Sequence, residues 1–287
     1  MSRASLVETS TRLGASARRT AFWALDRARG GPIRSHLDDI RAAMDGDVDP
    51  WRRLEPLLEH AIRSTSFYAN VDRPSLDAFP VLTRATLQRE SASLHATTPE
   101  HASFREVTTS GSSGRPVTVR QDRDKRRRSI ADTIYVNEMC GQRVGDPLMW
   151  MRAWRSEVHE PWLVRRAQNV TTVDINDLDE EHLGRIVDTL RRRRINALLA
   201  YPSTLATLRR YVSTHGPGSR DLGLSVIIND SELLAPALKH QLEATFGCPV
   251  ADRYANAENG MLAFAVPGAE TFRLNRASYV FEFLELL

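Results

Sequence analysis

Ala197-Leu198-Leu199-Ala200-Tyr201 runs directly into Pro202-Ser203-Thr204-Leu205, and the change of rhythm between them decides the fold class. The first five residues are a short apolar run of strand length. Pro202 and the hydroxyl residues after it open a helix, which carries Leu205, Leu208, Tyr211 and Val212. The same alternation continues on both sides. Upstream, Leu183, Ile186, Val187 and Leu190 stand at i, i+3, i+4 and i+7, the mark of an amphipathic helix. Downstream, Leu224 to Ile228 is a second buried strand candidate, and Asn229-Asp230-Ser231-Glu232 is its polar exit loop. Pro236 suits the first turn of the next helix and Gly247 its C-terminal cap. Pro249 to Tyr254 returns as a strand. This alternation predicts an α/β fold with a mostly parallel sheet flanked by helices. Ligands of such sheets gather at the carboxyl ends of strands, where the loops at 229–232 and 255–260 fall.

The region before this core has a different character. Residues 1–70 read as helical, with Trp51, Leu54, Leu57, Leu58 and Ile62 on one face. Phe79 to Thr83 reads as a short extended segment ending in an N-cap at Thr83, and Glu90 closes the helix that follows. Arg105 to Thr108 and Val117 to Arg120 read as strands, with a helix from about Asp124 to Met139. Tyr279, Phe281 and Phe283 alternate as in a strand near the end. The expected organisation is a helical region, 1–100, packed on an α/β core, 101–287.

Bulk composition excludes several classes. The chain has 287 residues, 41% hydrophobic and 26% charged, which is ordinary for a globular protein. No apolar run approaches the ~20 residues needed to span a bilayer, and no apolar segment precedes a small-residue cleavage site. Residues 1–25 hold one acid, Glu8, and read as a basic first helix in preference to a transit peptide. Cys140 and Cys248 stand far apart and form neither a metal cluster nor a disulfide framework, so a cytoplasmic setting is expected. The basic clusters 123–128 and 191–194 lack interleaved aromatics and read as solvated helix faces, so no nucleic-acid partner is expected.

The chemistry concentrates in Thr109-Ser110-Gly111-Ser112-Ser113-Gly114-Arg115-Pro116. Glycines admit positive φ, so successive N–H groups can converge on an anion, and hydroxyls add donors. On its own the loop is either a polyphosphate cradle or a flexible surface hairpin. It is not a Walker A loop, it is not a dinucleotide turn, and the chain has no nucleophile elbow or paired zinc histidines.

This loop resembles the phosphate-binding loop of the adenylate-forming (AMP-binding) enzymes, most closely the branch of phenylacetate–coenzyme A ligase and the related capsule-biosynthesis proteins. Other stretches agree in order. Leu57-Leu58-Glu59-His60-Ala61, Ser66-Phe67-Tyr68 and Phe79-Pro80-Val81-Leu82-Thr83 are similar to that branch's N-terminal region. Tyr201-Pro202-Ser203 and Asp252-Arg253-Tyr254-Ala255-Asn256-Ala257-Glu258 resemble its core segments, the latter its Tyr-Gly-x-Thr-Glu motif.

The resemblance implies the large lobe of the adenylate-forming fold, ATP-dependent activation of a carboxylic acid, and transfer to coenzyme A. Thr109, Ser110, Gly111, Ser112, Ser113 and Gly114 would wrap the ATP phosphates, with Arg115 where lysine is usual. Tyr254 would lie against adenine, and Ser231 and Glu232 would line the adenine side. Glu258 would hold Mg²⁺ and is the implied catalytic residue. Read alone, Ser231 is a helix-start cap, and Glu232 and Glu258 are exposed acids. Tyr135, Trp150 and Trp154 are placed near the acid, whose aromatic character rests on analogy alone. Two positions depart from the motif: Ala255 replaces glycine, and Ala257 replaces a threonine that faces the α-phosphate. The family's ribose-binding Asp, hinge and C-terminal lobe with its lysine have no counterpart before Leu287, and Lys125 and Lys239 are the lysines present. The alternative is therefore a catalytically incomplete nucleotide-binding module, a pseudoenzyme or half of a split ligase. Either a homodimer or a separate C-terminal-lobe partner would suit it.

Overall fold

The computed structural model describes residues 3–46, 49, 51–97, 103–108, 117–153, 168–215 and 222–283, with side chains from residue 13 onward. The first part is helical, as expected. It comprises α1 (Arg3–Ala28), α2 (Pro32–Asp45), α3 (Trp51–Ser64) and the short α4 (Arg84–Arg89). Thr83 caps α4, its side chain accepting from the Thr86 amide. β1 (Arg105–Thr108) and β2 (Thr118–Gln121) pair antiparallel as a two-stranded ribbon. After α5 (Arg123–Met139) come β3 (Leu148–Arg152), β4 (Val170–Asp174), α6 (Glu180–Arg193), β5 (Ala197–Ala200), α7 (Pro202–His215), β6 (Val226–Asn229) and α8 (Pro236–Phe246). The succession ends with β7 (Val250–Asn256), β8 (Gly260–Ala265) and the two-residue β9 (Arg273–Leu274).

Two compact units result, each discontinuous in sequence. The first takes Met1–Ser35, Thr133–Ala255 and Met261–Leu274, the second His36–Asp132, Asn256–Gly260 and Asn275–Leu287. The boundary expected near residue 100 falls at 98–102, outside the described residues.

The first unit is built on a seven-stranded sheet of order β4-β3-β5-β6-β7-β8-β9. Neighbours from β4 through β7 are parallel, and β8–β9 is antiparallel. β5 and β6 are buried at every position, so their sequences are continuous apolar runs instead of alternating ones. The core joins Met149, Leu198, Ile227 and Val250 of the strands to Leu183, Ile186 and Leu190 of α6, Leu205 and Leu208 of α7, and Leu242 and Phe246 of α8. Asp179 caps α6 through the His182 amide, and Gly247 ends α8 at φ +64°. Gly145 is required for a different reason. Its φ is +89°, and a Cβ there would stand 2.6 Å from the Ala15 carbonyl of α1.

The second unit is tied together by charge. Asp39 of α2 accepts from Arg53 of α3 at 2.7 and 2.8 Å and from Arg128 of α5 at 2.5 Å. The Arg53 hydrogen bond is the main cause that holds the Asp39 carboxyl down, to about 2. Arg276 donates to the carbonyls of Met44 and Gly46 at the end of α2.

One sequence expectation fails. Tyr279, Phe281 and Phe283 form no strand. The amides of Ser278 and Tyr279 both bond to the Asn275 carbonyl, so a turn engages the amide at the start of the expected strand. β3 and β4 are strands that the sequence pattern does not announce. No helix among the described residues is long and apolar enough to cross a membrane.

Two outcomes are expected. Ile227→Ala, at a fully buried site in β6, lowers stability by roughly 2–5 kcal/mol, measured by urea denaturation. Asp39, depressed below its ordinary 3.8, contributes stability above that pH and loses it as pH falls toward 2. Asp39→Asn therefore flattens the acid limb of the stability–pH curve in that window, and an unchanged limb would show the triad to be inert.

Candidate functional site

Five parallel strands bring their carboxyl ends to one edge of the sheet, and in the first unit the polar residues there gather around β5, β6 and β7. Register places Ala200 beside Asn229 and Asn229 beside Asp252. Asn229, the last residue of β6, is fully buried. Its Nδ2 donates to Asp252 Oδ1 at 2.5 Å and to the Glu232 carbonyl at 3.1 Å. One amide group thus ties the exit loop of β6 to the neighbouring strand. Burial raises the Asp252 carboxyl above its usual range, while the Asn229 hydrogen bond opposes that rise.

The loop 230–232 turns tightly. The Asp230 amide bonds to the Ala200 carbonyl at 3.3 Å, and the Glu232 amide reaches back to the Asp230 carbonyl at 2.9 Å. Between them Ser231 has φ +68°, the left-handed region that favours glycine. The Glu232 carboxylate accepts from the Ser203 amide at 3.2 Å and from the Ser203 hydroxyl at 3.1 Å. It therefore sits at the N-terminus of α7, where N–H groups lack helical partners and the dipole favours an anion. The sequence put Glu232 on the adenine side. In the structure its carboxylate caps α7.

Arg253, 5% exposed on β7, pairs with Asp230 at 3.2 Å and donates to Asn137 Oδ1 at 2.9 Å. Three buried atoms of this cluster have no hydrogen-bond partner among the described residues: Asn229 Oδ1, Asp230 Oδ1 and Arg253 Nε. Buried polar atoms are normally satisfied, so this edge has unspent capacity for a polar ligand or water. Asp230 and Arg253 were not singled out by the sequence as site residues. Tyr254, next along β7, is 61% exposed and so presents an uncovered ring.

The other expected site residues fall as follows. Thr109, Ser110, Gly111, Ser112, Ser113, Gly114 and Arg115 lie outside the described residues, as does Trp154. The strands that flank the loop are observed where expected, pairing Thr108 with Thr118. Tyr135 is buried edge-on against Phe264 at 6.0 Å, and Trp150 lies under the Arg152 guanidinium at 5.0 Å. Glu258, in the second unit, is half-buried in the turn 257–259 between β7 and β8. Gln121 Nε2 donates to the carbonyls of Ala257 and Glu258 at 3.2 and 3.4 Å.

No protein-family model matches the chain, and no curated protein sequence does. Solved structures do. The chain is similar to 2-hydroxyisobutyryl-CoA ligase in an open conformation in complex with 2-HIB-AMP and CoA, with TM-score 0.59 and 20% identity. That match covers 75% of this chain and 55% of the ligase. The same ligase in its thioesterification state gives TM-score 0.60 and 21% identity, covering 76% and 50%. The chain therefore has the α/β fold of this acyl-CoA ligase and spans about half its length.

Ser231→Gly is expected to raise stability by up to about 1 kcal/mol, since glycine relieves the left-handed strain at a smaller entropic cost. Glu232→Ala is expected to lower it by about 1 kcal/mol through the lost cap. Urea midpoints for both variants check this, and a loss of stability in Ser231→Gly would show that the serine side chain holds the loop.

Proposed function

We propose that this chain is the larger, nucleotide-binding part of an enzyme that activates a carboxylic acid with ATP and passes the acyl group to coenzyme A. The observation that carries the reading is the shared fold with a ligase solved in complex with an acyl-AMP and CoA, joined to the ordered motif segments in this sequence. In the reaction a carboxylate oxygen attacks the α-phosphorus of ATP and pyrophosphate leaves, giving the acyl-adenylate. The thiol of coenzyme A then displaces AMP.

Individual residues take their parts from this reading. The loop 109–114 with Arg115 holds the phosphates through N–H groups and hydroxyls. Tyr254 supplies an exposed ring for adenine, and Ser231 lies in the loop on the adenine side. The unpartnered polar atoms of Asn229, Asp230 and Arg253 suit a polar ligand or its bound water at the same sheet edge. Glu258 is the Mg²⁺ ligand. Among the described residues no three His, Cys, Asp or Glu side chains converge as a metal cage. Magnesium at a nucleotide is held by one or two carboxylates plus phosphate oxygens, so a single half-buried glutamate fits. Held there, the ion would offset the charge of the phosphates. The acid is small, with an aromatic acid favoured by the resemblance.

A second reading, a nucleotide-binding module without turnover, is favoured by Ala257 and by the capping bond of Glu232 to Ser203. ATP–pyrophosphate exchange over a panel of aromatic and aliphatic acids separates the two. Acid-dependent exchange supports the ligase, and ATP binding without exchange supports the module.

ATP binding itself is tested by calorimetry on Gly111→Val with Ser112→Ala. Valine blocks positive φ and serine loss removes a donor, so affinity is expected to fall at least about tenfold, the equivalent of one charge-assisted hydrogen bond. Equal affinity in a folded variant would remove the loop from the site.

A further inference from the structure

The turn that carries Glu258 is caged by side chains of the second unit. Within the turn, the Asn259 amide donates to Asn256 Oδ1 at 2.7 Å. From the end of β2, Gln121 holds the carbonyls of Ala257 and Glu258. The third carbonyl, of Asn259, accepts from the hydroxyl of Tyr279. That hydroxyl oxygen accepts in turn from Lys125 Nζ of α5 at 2.9 Å, and the ammonium lies 5.0 Å from the Tyr279 ring centroid. Burial pushes the Tyr279 phenol well above its ordinary range, so it keeps its proton and remains a donor.

Tyr279 is itself held in place. Arg128 donates to the Ala277 carbonyl at 2.7 Å and to Ser278 Oγ at 2.9 Å. Asp132, almost wholly buried, accepts from Ser278 Oγ at 2.7 Å and from Asn275 Nδ2 at 3.0 Å. A chain of hydrogen bonds therefore runs from α5 through residues 275–279 to the turn. An ordinary tight turn needs only its own backbone bonds. Here all three carbonyls, 257 to 259, are fixed by side chains from distant segments, which removes the freedom of the residue in the middle.

We infer that Tyr279, anchored by Lys125 and aided by Gln121, is a positioning residue that sets the place of the Glu258 carboxylate. The inference rests on the reading of Glu258 as the Mg²⁺ ligand. Groups that orient a metal ligand from behind commonly matter to metal affinity as much as ten- to a hundredfold.

The test uses the full chain with Tyr279→Phe, which removes one hydroxyl and keeps the ring. Gln121→Leu is the second variant, should the first perturb the fold, and Glu258→Gln is the reference. Calorimetry reads ATP affinity with and without Mg²⁺, and amide hydrogen exchange reads residues 256–260. In Tyr279→Phe, Mg²⁺-dependent ATP binding is expected to weaken about tenfold, Mg²⁺-free binding to stay within about twofold, and exchange at 256–260 to quicken. A purely structural role would weaken both binding modes together and would overturn the inference. So would unchanged metal dependence in both Tyr279→Phe and Gln121→Leu while Glu258→Gln loses it, and that result leaves the metal reading standing. Should Glu258→Gln weaken binding equally with and without Mg²⁺, the metal reading fails and the positioning role fails with it.

Discussion

Asn229 holds the position on which the polar arrangement at the sheet edge depends. Strands buried on both faces can expose polar groups only at their ends, and β6 ends at a residue with no solvent contact. An asparagine there can donate to two neighbours and accept from others. It spends its donors on Asp252 and on the Glu232 carbonyl, which locks the loop 230–232 against β7. With the loop locked, Ser231 is driven to positive φ and the Glu232 carboxylate is delivered to the start of α7. Losing the amide would leave the raised carboxyl of Asp252 without its main compensating hydrogen bond. The loop, the helix start and the strand that bears Tyr254 thus share one fastening.

Most of the α/β half was legible in the sequence because its signals are local. Continuous apolar runs at 197–200 and 226–228, a helical period at 183–190 and the Pro236 and Gly247 pair each name one element without reference to any other. β3 and β4 escaped because 148–152 and 170–174 mix Trp, Arg, Thr and Asp into the strand pattern, and their partners fix them only in the folded sheet. The supposed strand at 279–283 failed for the converse reason. Alternation describes side chains alone, and whether a ladder forms depends on the amides, the first of which, at Tyr279, is engaged by a turn at Asn275.

The candidate residues that the sequence names are those within segments that resemble known motifs. Tyr254 and Glu258 are named through their motif and Ser231 and Glu232 through the resemblance, and the roles of all four are proposals. Asp230, Arg253, Gln121, Lys125 and Tyr279 could not be named in this way, since each acts on a segment distant in sequence. Arg253 meets Asn137 and Gln121 meets Ala257, separations of more than a hundred residues. A basic cluster read from sequence as a solvated face also proved divided in use. Lys125 and Arg128 point into hydrogen bonds with residues 277–279, whereas no such bond to those residues is seen for Arg123 or Arg127.

Magnitudes bear on whether Ala257 decides between turnover and binding alone. The resemblance places a threonine hydroxyl at this position, and losing one preorganised donor costs about 2.7–4 kcal/mol, or 10²–10³ in rate. Enzymes lower barriers by about 8–23 kcal/mol in total. A deficit of one donor therefore slows such a site without emptying it of catalytic power. On the proposed function, further hydroxyl residues of 109–114 would offer donors to that charge and limit the loss. What a single alanine cannot remove is the requirement for a cation at the developing charge. Lys125 is engaged with Tyr279 and Lys239 with the Ala269 carbonyl. On the proposed function, Arg115 is the cation assigned to the phosphates, and the balance between ligase and binding module would turn on it more than on Ala257.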